Sequence, residues 1–254
     1  MCLILLAVDA RPDYGVVLAS NRDEWQERPA SPAAWWADAP QVLAGRDLKA
    51  GGTWMGVSRA GGGLRWAAVT NVRDFARVRD NARSRGELVR SFLMGDESAA
   101  GATETAQAEA SEYSPFNFLA SDADGVWYAS SHTDAARRLD AGVYGMSNAT
   151  LDTPWPKVVA ARAEFSDALA AEHVDEDGLF RILADRGTAP DADLPDTGIG
   201  RAWERALSAR FIVAEGYGSR ASTVLLLDRA GGGRFVERSF GEGGVPVGEE
   251  AFDL

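Results

Sequence analysis

Apolar runs of strand length recur along the chain in pairs, each pair joined by residues that favour turns. Cys2–Val8 and Val16–Ser20 flank DARPDYG, whose Pro12, Asp13 and Gly15 supply turn chemistry. GTWMGVS and LRWAAVTN are joined through RAGGG. FNFLASD and VWYASSH bracket Ala123, Asp124 and Gly125, and ASTVLLLD and RFVERSF bracket a second RAGGG. Hairpins in this number predict mostly antiparallel sheets.

Helical periodicity appears in blocks between them. SRGELVRSFLMG carries Leu88, Phe92 and Leu93 at helical spacing, and TETAQAEASEY is Ala-rich and reads as an exposed helix. PWPKVVAARAEFSDALAAEH places Val158, Phe165 and Leu169 on one face, with Pro154 and Pro156 near its start. DEDGLFRILADRG follows, with Gly187 in the position of a C-terminal cap. APDADLPDTGIG reads as a polar surface loop. Strands and helices in separate blocks predict an α+β fold, with helices packed outside two stacked antiparallel sheets, in a single domain spanning 1–254.

Composition narrows the function classes. The 254 residues are 46% hydrophobic and 25% charged, as in an ordinary globular protein, and no apolar run approaches the ~20 residues of a membrane span. The apolar start lacks a basic lead and runs into Asp9 and Arg11, which argues against a signal peptide. A net charge of −12 argues against nucleic-acid partners and anionic membrane surfaces. Without a second cysteine no intrachain disulfide can form, and a cytoplasmic location is the default. Of the 26 basic residues only Lys49 and Lys157 are lysines.

The lone Cys2 follows the initiator. Within a strand it is a small hydrophobe. With Met1 removed it becomes the chain terminus and carries a thiol and a free α-amine, a nucleophile with a built-in base titrating near ~7.7–8.0. Position alone leaves both readings open. His132 and His173 are the only histidines; neither has ligand spacing, so no metal is expected. Two scattered histidines, read as surface residues, also argue against a Ser/His/Asp or Cys/His triad.

Polar residues at strand ends supply the remaining candidates. SNRDEW closes the second strand, so Asn21, Arg22, Asp23 and Glu24 are expected where the first hairpin opens into a loop. Asn71 ends another strand, Ser147 and Asn148 follow a third, and Arg220 precedes a fourth. Singly these are turn formers or solvated ion pairs. Together they hold amide donors for an oxyanion and cations for a thiolate or a substrate carboxylate. Arg220 and Arg22 are accordingly expected to lower the Cys2 pKa. Trp25 and Trp54 are read as walls at the mouth of a cleft floored by Cys2, or alternatively as core aromatics.

MCLILLAVDA, LASNRDEWQERPASPAAWW, GGTWMGVSRAG, AAVTNVRD, SRGELVRSFL, PFNFLASD, YGMSNATLDTPWPKV and GYGSRASTVLLLD together resemble the NRDE family, that of transport and Golgi organisation protein 2. That family resembles the cysteine N-terminal-nucleophile hydrolases, among them bile-salt hydrolases and penicillin V acylase. The resemblance implies a four-layer αββα sandwich and attack of an N-terminal Cys on a linear amide. It implies catalytic roles for Cys2, Asn71, Asn148 and Arg220. The hydrolases carry Arg-Asn-x-Asp where this chain has Asn21-Arg22-Asp23-Glu24. Glu24, or after a one-residue shift Asp23, would then orient the terminal amine. The resemblance also connects the family with haem trafficking and with lipid or acyl-CoA homeostasis. Two functions follow as expectations: an amidohydrolase for an acyl-type amide, or a non-catalytic carrier of haem or another amphipathic molecule. No cofactor is expected beyond haem as a carried ligand. The partner is a small amphipathic molecule such as an acyl-amide, acyl-CoA or haem.

Overall fold

A computed structural model describes residues 2–60 and 63–254. In chain order its strands are β1 (Cys2–Val8), β2 (Tyr14–Trp25), β3 (Ala30–Trp36), β4 (Ala39–Asp47), β5 (Met55–Ala60), β6 (Gly63–Asn71), β7 (Phe116–Asp122), β8 (Gly125–Ser130), β9 (Arg137–Arg138), β10 (Gly142–Met146), β11 (Val213–Ala214), β12 (Tyr217–Asp228), β13 (Gly233–Phe240) and β14 (Pro246–Asp253). The helices are α1 (Arg85–Met94), α2 (Ala99–Ala108), α3 (Pro156–Ala170), α4 (Glu176–Leu183) and α5 (Arg201–Ala206). The class is α+β, with two antiparallel sheets of seven strands each. The tip of the first RAGGG hairpin, at Gly61 and Gly62, lies outside the described residues, as does Met1.

The chain divides into two compact units. The first comprises Met1–Glu27, Ala141–Ser147 and Leu151–Leu254. Its sheet runs β10-β1-β2-β12-β13-β14, with β11 on β12. Leu3, Leu5 and Ala7 on β1, with Val17 and Ala19 on β2, pack against Val158 and Phe165 of α3 and Leu179 and Leu183 of α4. Ile4 and Leu6, pointing the other way, are buried too, so β1 is a continuous apolar run without alternation. Pro156 at the first turn of α3 lacks an N–H where none is needed. α4 ends at Leu183, four residues before Gly187; the Ala184 N–H caps it on Phe180 O at 3.0 Å. The Gly187 N–H instead meets Asp185 Oδ1.

The second unit comprises Arg28–Asp140 and Asn148–Thr150. Its sheet is a meander in sequence order, β3-β4-β5-β6-β7-β8-β9. Val42, Ala67, Val69, Phe116 and Phe118 on one face pack against Val89, Phe92 and Leu93 of α1 and Ala102 and Ala106 of α2. The Ala-rich helix is therefore half-buried, not exposed. Alanines three and four apart let α2 lie close to the sheet, and Ser98 caps it by accepting the Gly101 N–H. Among the described residues no helix is long and apolar enough to cross a membrane.

Candidate functional site

The expected loop after the second strand is a strand interior. β2 continues through Asn21-Arg22-Asp23-Glu24 to Trp25, paired with β1 on one side and β12 on the other. Asn21 and Asp23 are each 1% exposed. Charged and amide side chains hold this position because partners await them. Asn21 Nδ2 donates to Leu183 O at 2.9 Å and Arg210 O at 2.8 Å, and Asn21 Oδ1 accepts from Ser222 Oγ at 2.6 Å. Asp23 Oδ1 accepts from Ser219 Oγ at 2.6 Å, and that hydroxyl oxygen accepts the Ile212 N–H. Burial raises the Asp23 pKa, opposed by the charge of Lys157, the Ser219 bond and Arg22. Lys157 is itself buried and donates from Nζ to Leu207 O at 2.9 Å.

Cys2 stands opposite Arg22 in the β1–β2 register, and Ser147 Oγ donates to its carbonyl at 2.9 Å. Burial pushes the Cys2 thiol up, and the Asp23 charge adds to that; the Asp23 backbone N–H and Arg22 act against it. The expectation of a lowered thiol pKa is thus reversed, because desolvation of the thiolate exceeds the help from the nearby cation. Of the two carboxylates considered, only the charge of Asp23 contributes to the shift of the Cys2 thiol. Glu24 instead lies 3.8 Å from Arg22 and accepts the Trp25 N–H.

Arg220 is the extra residue of a β-bulge. Ser219 pairs with Asp23 and Ala221 with Arg22, so Arg220 has no place in the ladder. Its guanidinium donates to the carbonyls of Trp25, Gln26 and Phe240. Burial and then Arg22 lower its pKa, with Glu24 opposing. Trp25 is 48% exposed and meets Trp203 and Tyr217 edge-to-face, with ring centroids 6.1 and 5.1 Å away.

The other candidates lie in the second unit. Asn148 Nδ2 donates to Asn71 O at 3.1 Å and Asn71 Oδ1 at 2.9 Å. The Asn148 amide nitrogen thus bonds both the backbone and the side-chain oxygen of Asn71. The Arg73 N–H returns to Asn148 O at 2.7 Å. Buried Asn117 fixes the same turn, donating to Ala149 O and Thr70 Oγ1 and accepting from the Tyr128 hydroxyl. The Trp54 ring lies against Gly45 of β4, where any Cβ would collide with it.

The candidate residues therefore form two clusters, one per unit: Cys2 with Asn21–Trp25 and Arg220, and Asn71 with Asn148. Sequence reasoning missed Ser219, Ser222, Lys157 and Asn117. Lys157 left a signal, being one of two lysines in an arginine-biased chain and lying within an apolar helical face. His132, read as a surface residue, is partly exposed and bridges Ser131 Oγ and Asp74 Oδ2.

Residues 1–242 match the family described as Transport and Golgi organisation 2. The bovine Transport and Golgi organization protein 2 homolog is 35% identical over 260 residues, covering 94% of this chain and 93% of its own. The human homolog is 33% identical with the same coverage. The Drosophila melanogaster protein of that name is 30% identical over 94% of this chain and 92% of its own. Matches of this length and coverage place the chain in the Transport and Golgi organisation 2 family.

Proposed function

We propose that the chain is a cysteine N-terminal-nucleophile amidohydrolase that cleaves the C–N bond of an acyl-type amide. The observation that carries this reading is the setting of Cys2, opposite Arg22 in the β1–β2 register and next to the strand position where Ser219 holds the buried Asp23 carboxylate. A thiol whose pKa burial has raised is neutral at rest and needs a base to attack. Removal of Met1, which lies outside the described residues, supplies one: the α-amine of Cys2, oriented by Asp23.

In the proposed reaction the Cys2 thiol proton passes to the α-amine and Sγ bonds the amide carbonyl carbon. The C–N bond then breaks, the departing amine takes that proton, and water hydrolyses the thioester. By the resemblance, Asn71 and Asn148 supply the amide donors for the oxyanion; within the second unit the Asn148 amide bonds Asn71. Arg22 and Arg220 give the site positive charge for an anionic end of the substrate. A second reading, a carrier of haem or another amphipathic molecule, is favoured by the exposed Trp25 and Trp203.

An intact mass of protein from its native host and an acyl-amide panel run beside a haem titration separate the two. The enzyme reading expects Met1 absent and turnover lost in Cys2→Ala. A retained Met1, or Cys2-dependent haem binding without turnover, overturns it in favour of the carrier.

A further inference from the structure

Outside the Cys2 cluster, three residues of the second unit form a directed chain of hydrogen bonds. β8 ends at Ser130, and the next residue keeps one more rung: the Ser131 N–H donates to Phe116 O at 3.0 Å. The Phe116 N–H returns to Ser131 Oγ at 3.0 Å. Ser131 Oγ then lies 3.0 Å from His132 Nδ1, nearer than its other acceptor, Phe116 O at 3.4 Å, and His132 Nε2 lies 2.9 Å from Asp74 Oδ2. An ionised carboxylate can only accept, so the imidazole proton sits on Nε2 and Nδ1 offers its lone pair to the Ser131 hydroxyl. The bond from His132 holds the Asp74 carboxyl below its usual range, in keeping with an ionised group. Asp74 is placed by its own N–H on Val72 O and by Arg77 Nε at 3.5 Å.

Each link favours loss of the Ser131 proton. Nδ1 can take it, Asp74 stabilises the resulting imidazolium, and the Phe116 N–H donates to the developing oxyanion on Oγ. Ser131 and His132 both keep partial exposure, so an electrophile has access. We propose that Ser131 is a second, serine-type nucleophile of this protein, with His132 as its base and Asp74 as the group that orients the base, reacting with activated esters and phosphonyl electrophiles. With an ester, Ser131 Oγ bonds the carbonyl carbon and its proton passes to His132 Nδ1. The ester C–O bond breaks, the alcohol leaves with that proton, and water releases the acid.

A fluorophosphonate probe tests the site in the full chain. Ser131 Oγ bonds phosphorus, the P–F bond breaks, fluoride leaves, and the hydroxyl proton is carried off through His132. Peptide mapping is expected to place the label on Ser131 in the wild type and equally in Cys2→Ala, which keeps this site separate from the amidohydrolase reading. His132→Gln is expected to slow labelling by ~10²-fold or more, the usual contribution of a general base. Should His132→Gln misfold, Asp74→Asn serves. Its amide presents a hydrogen to Nε2, moves the imidazole proton to Nδ1 and slows labelling comparably. Absence of label on Ser131, or equal rates in the wild type and a folded variant, overturns the proposal and leaves the three residues as a clamp between Asp74 and the end of β8.

Discussion

The two units solve the same packing problem by opposite routes. In the second, every strand pairs with its sequence neighbour, and the sheet is a meander from β3 to β9. In the first, β2 pairs with β12 across nearly two hundred positions, and β10 returns to flank β1. Local pairing needs only hairpin signals. Non-local pairing lets residues with no sequence relation meet, as Asp23 meets Ser219 and Asn21 meets Ser222. The polar centre of the first unit therefore depends on long-range order, at a greater loop-closure cost. The asparagine pair of the second is the exception to its local order, since Asn71 and Asn148 lie 77 residues apart.

The largest expected effect tests whether the meander does more than support a turn. Given an acyl-amide that turns over, Asn71→Ala is expected to reduce kcat by ~10²–10³, about 2.7–4 kcal/mol of transition-state stabilisation. Asn148→Ala, which removes the amide bonded to Asn71, is expected to lower kcat in the same direction with circular dichroism unchanged. A loss below tenfold in both returns the pair to a turn-forming role and leaves the chemistry to the first unit.

Next comes the buried charge of that unit. Lys157→Met removes the cation facing Asp23 and leaves Leu207 O without its ammonium donor. Urea unfolding is expected to show a loss of about 3 kcal/mol, the low end for breaking a buried charge pair. The deficit has a pH signature. Burial raises the folded Asp23 pKa above its unfolded value, so the stability gained from the protonated form is full below ~3.9 and is lost as pH rises through the folded value. The Lys157→Met deficit is therefore expected to shrink on acidification, and adding Asp23→Asn is expected to recover part of it at neutral pH. A deficit independent of pH would show that Lys157 acts through packing alone.

How much of this was legible follows the same division. FNFLASD and LRWAAVTN read correctly as strands, and GTWMGVS from Met55 onward, because their apolar runs and glycine turns are local signals. β3 and β14 carry Pro32 and Pro246, which suppress the strand signal, and both are sheet edges where proline is tolerated. The polar run Asn21–Glu24 reads as a loop because its partners lie some 160 to 200 residues away, and nothing local announces them. Cys2, Asn71, Asn148 and Arg220 were legible as candidates by position and resemblance. The bulge that sets Arg220 out of register, and the burial that raises the thiol, are properties of the assembled sheet.

A steric test in the second unit ranks third. Gly45 leaves room for the Trp54 ring, and Gly45→Ala places a methyl well inside van der Waals distance of two ring carbons, so that ring or backbone must shift. Overpacking of this kind costs about 1–3 kcal/mol, read as a lower midpoint in urea. Because the contact lies between neighbouring segments of a meander, the reactivity of Cys2 is expected to stay unchanged. A change in Cys2 alkylation with Gly45→Ala would mean that the two units are not energetically independent.

The smallest effect is also the most direct reading of Cys2. In the chain retaining Met1, the pH at which iodoacetamide alkylation reaches half its limiting rate is expected above ~8.5, the free-cysteine value, because burial dominates. The midpoint, not the absolute rate, is the quantity to compare, since burial also slows access. Asp23→Asn removes a charge that pushes the thiol up and is expected to shift the midpoint down; Arg22→Gln removes one that pulls it down and is expected to shift it up. The same shift enters stability. Between the free and folded values the unfolded chain releases the thiol proton while the folded chain keeps it, so stability falls as pH rises through that window. Cys2→Ala is expected to abolish that alkaline slope. A midpoint at or below ~8.5 in the intact chain would mean that the cation and the Asp23 N–H outweigh burial, and Cys2 would then be an activated thiolate without any need of a terminal amine.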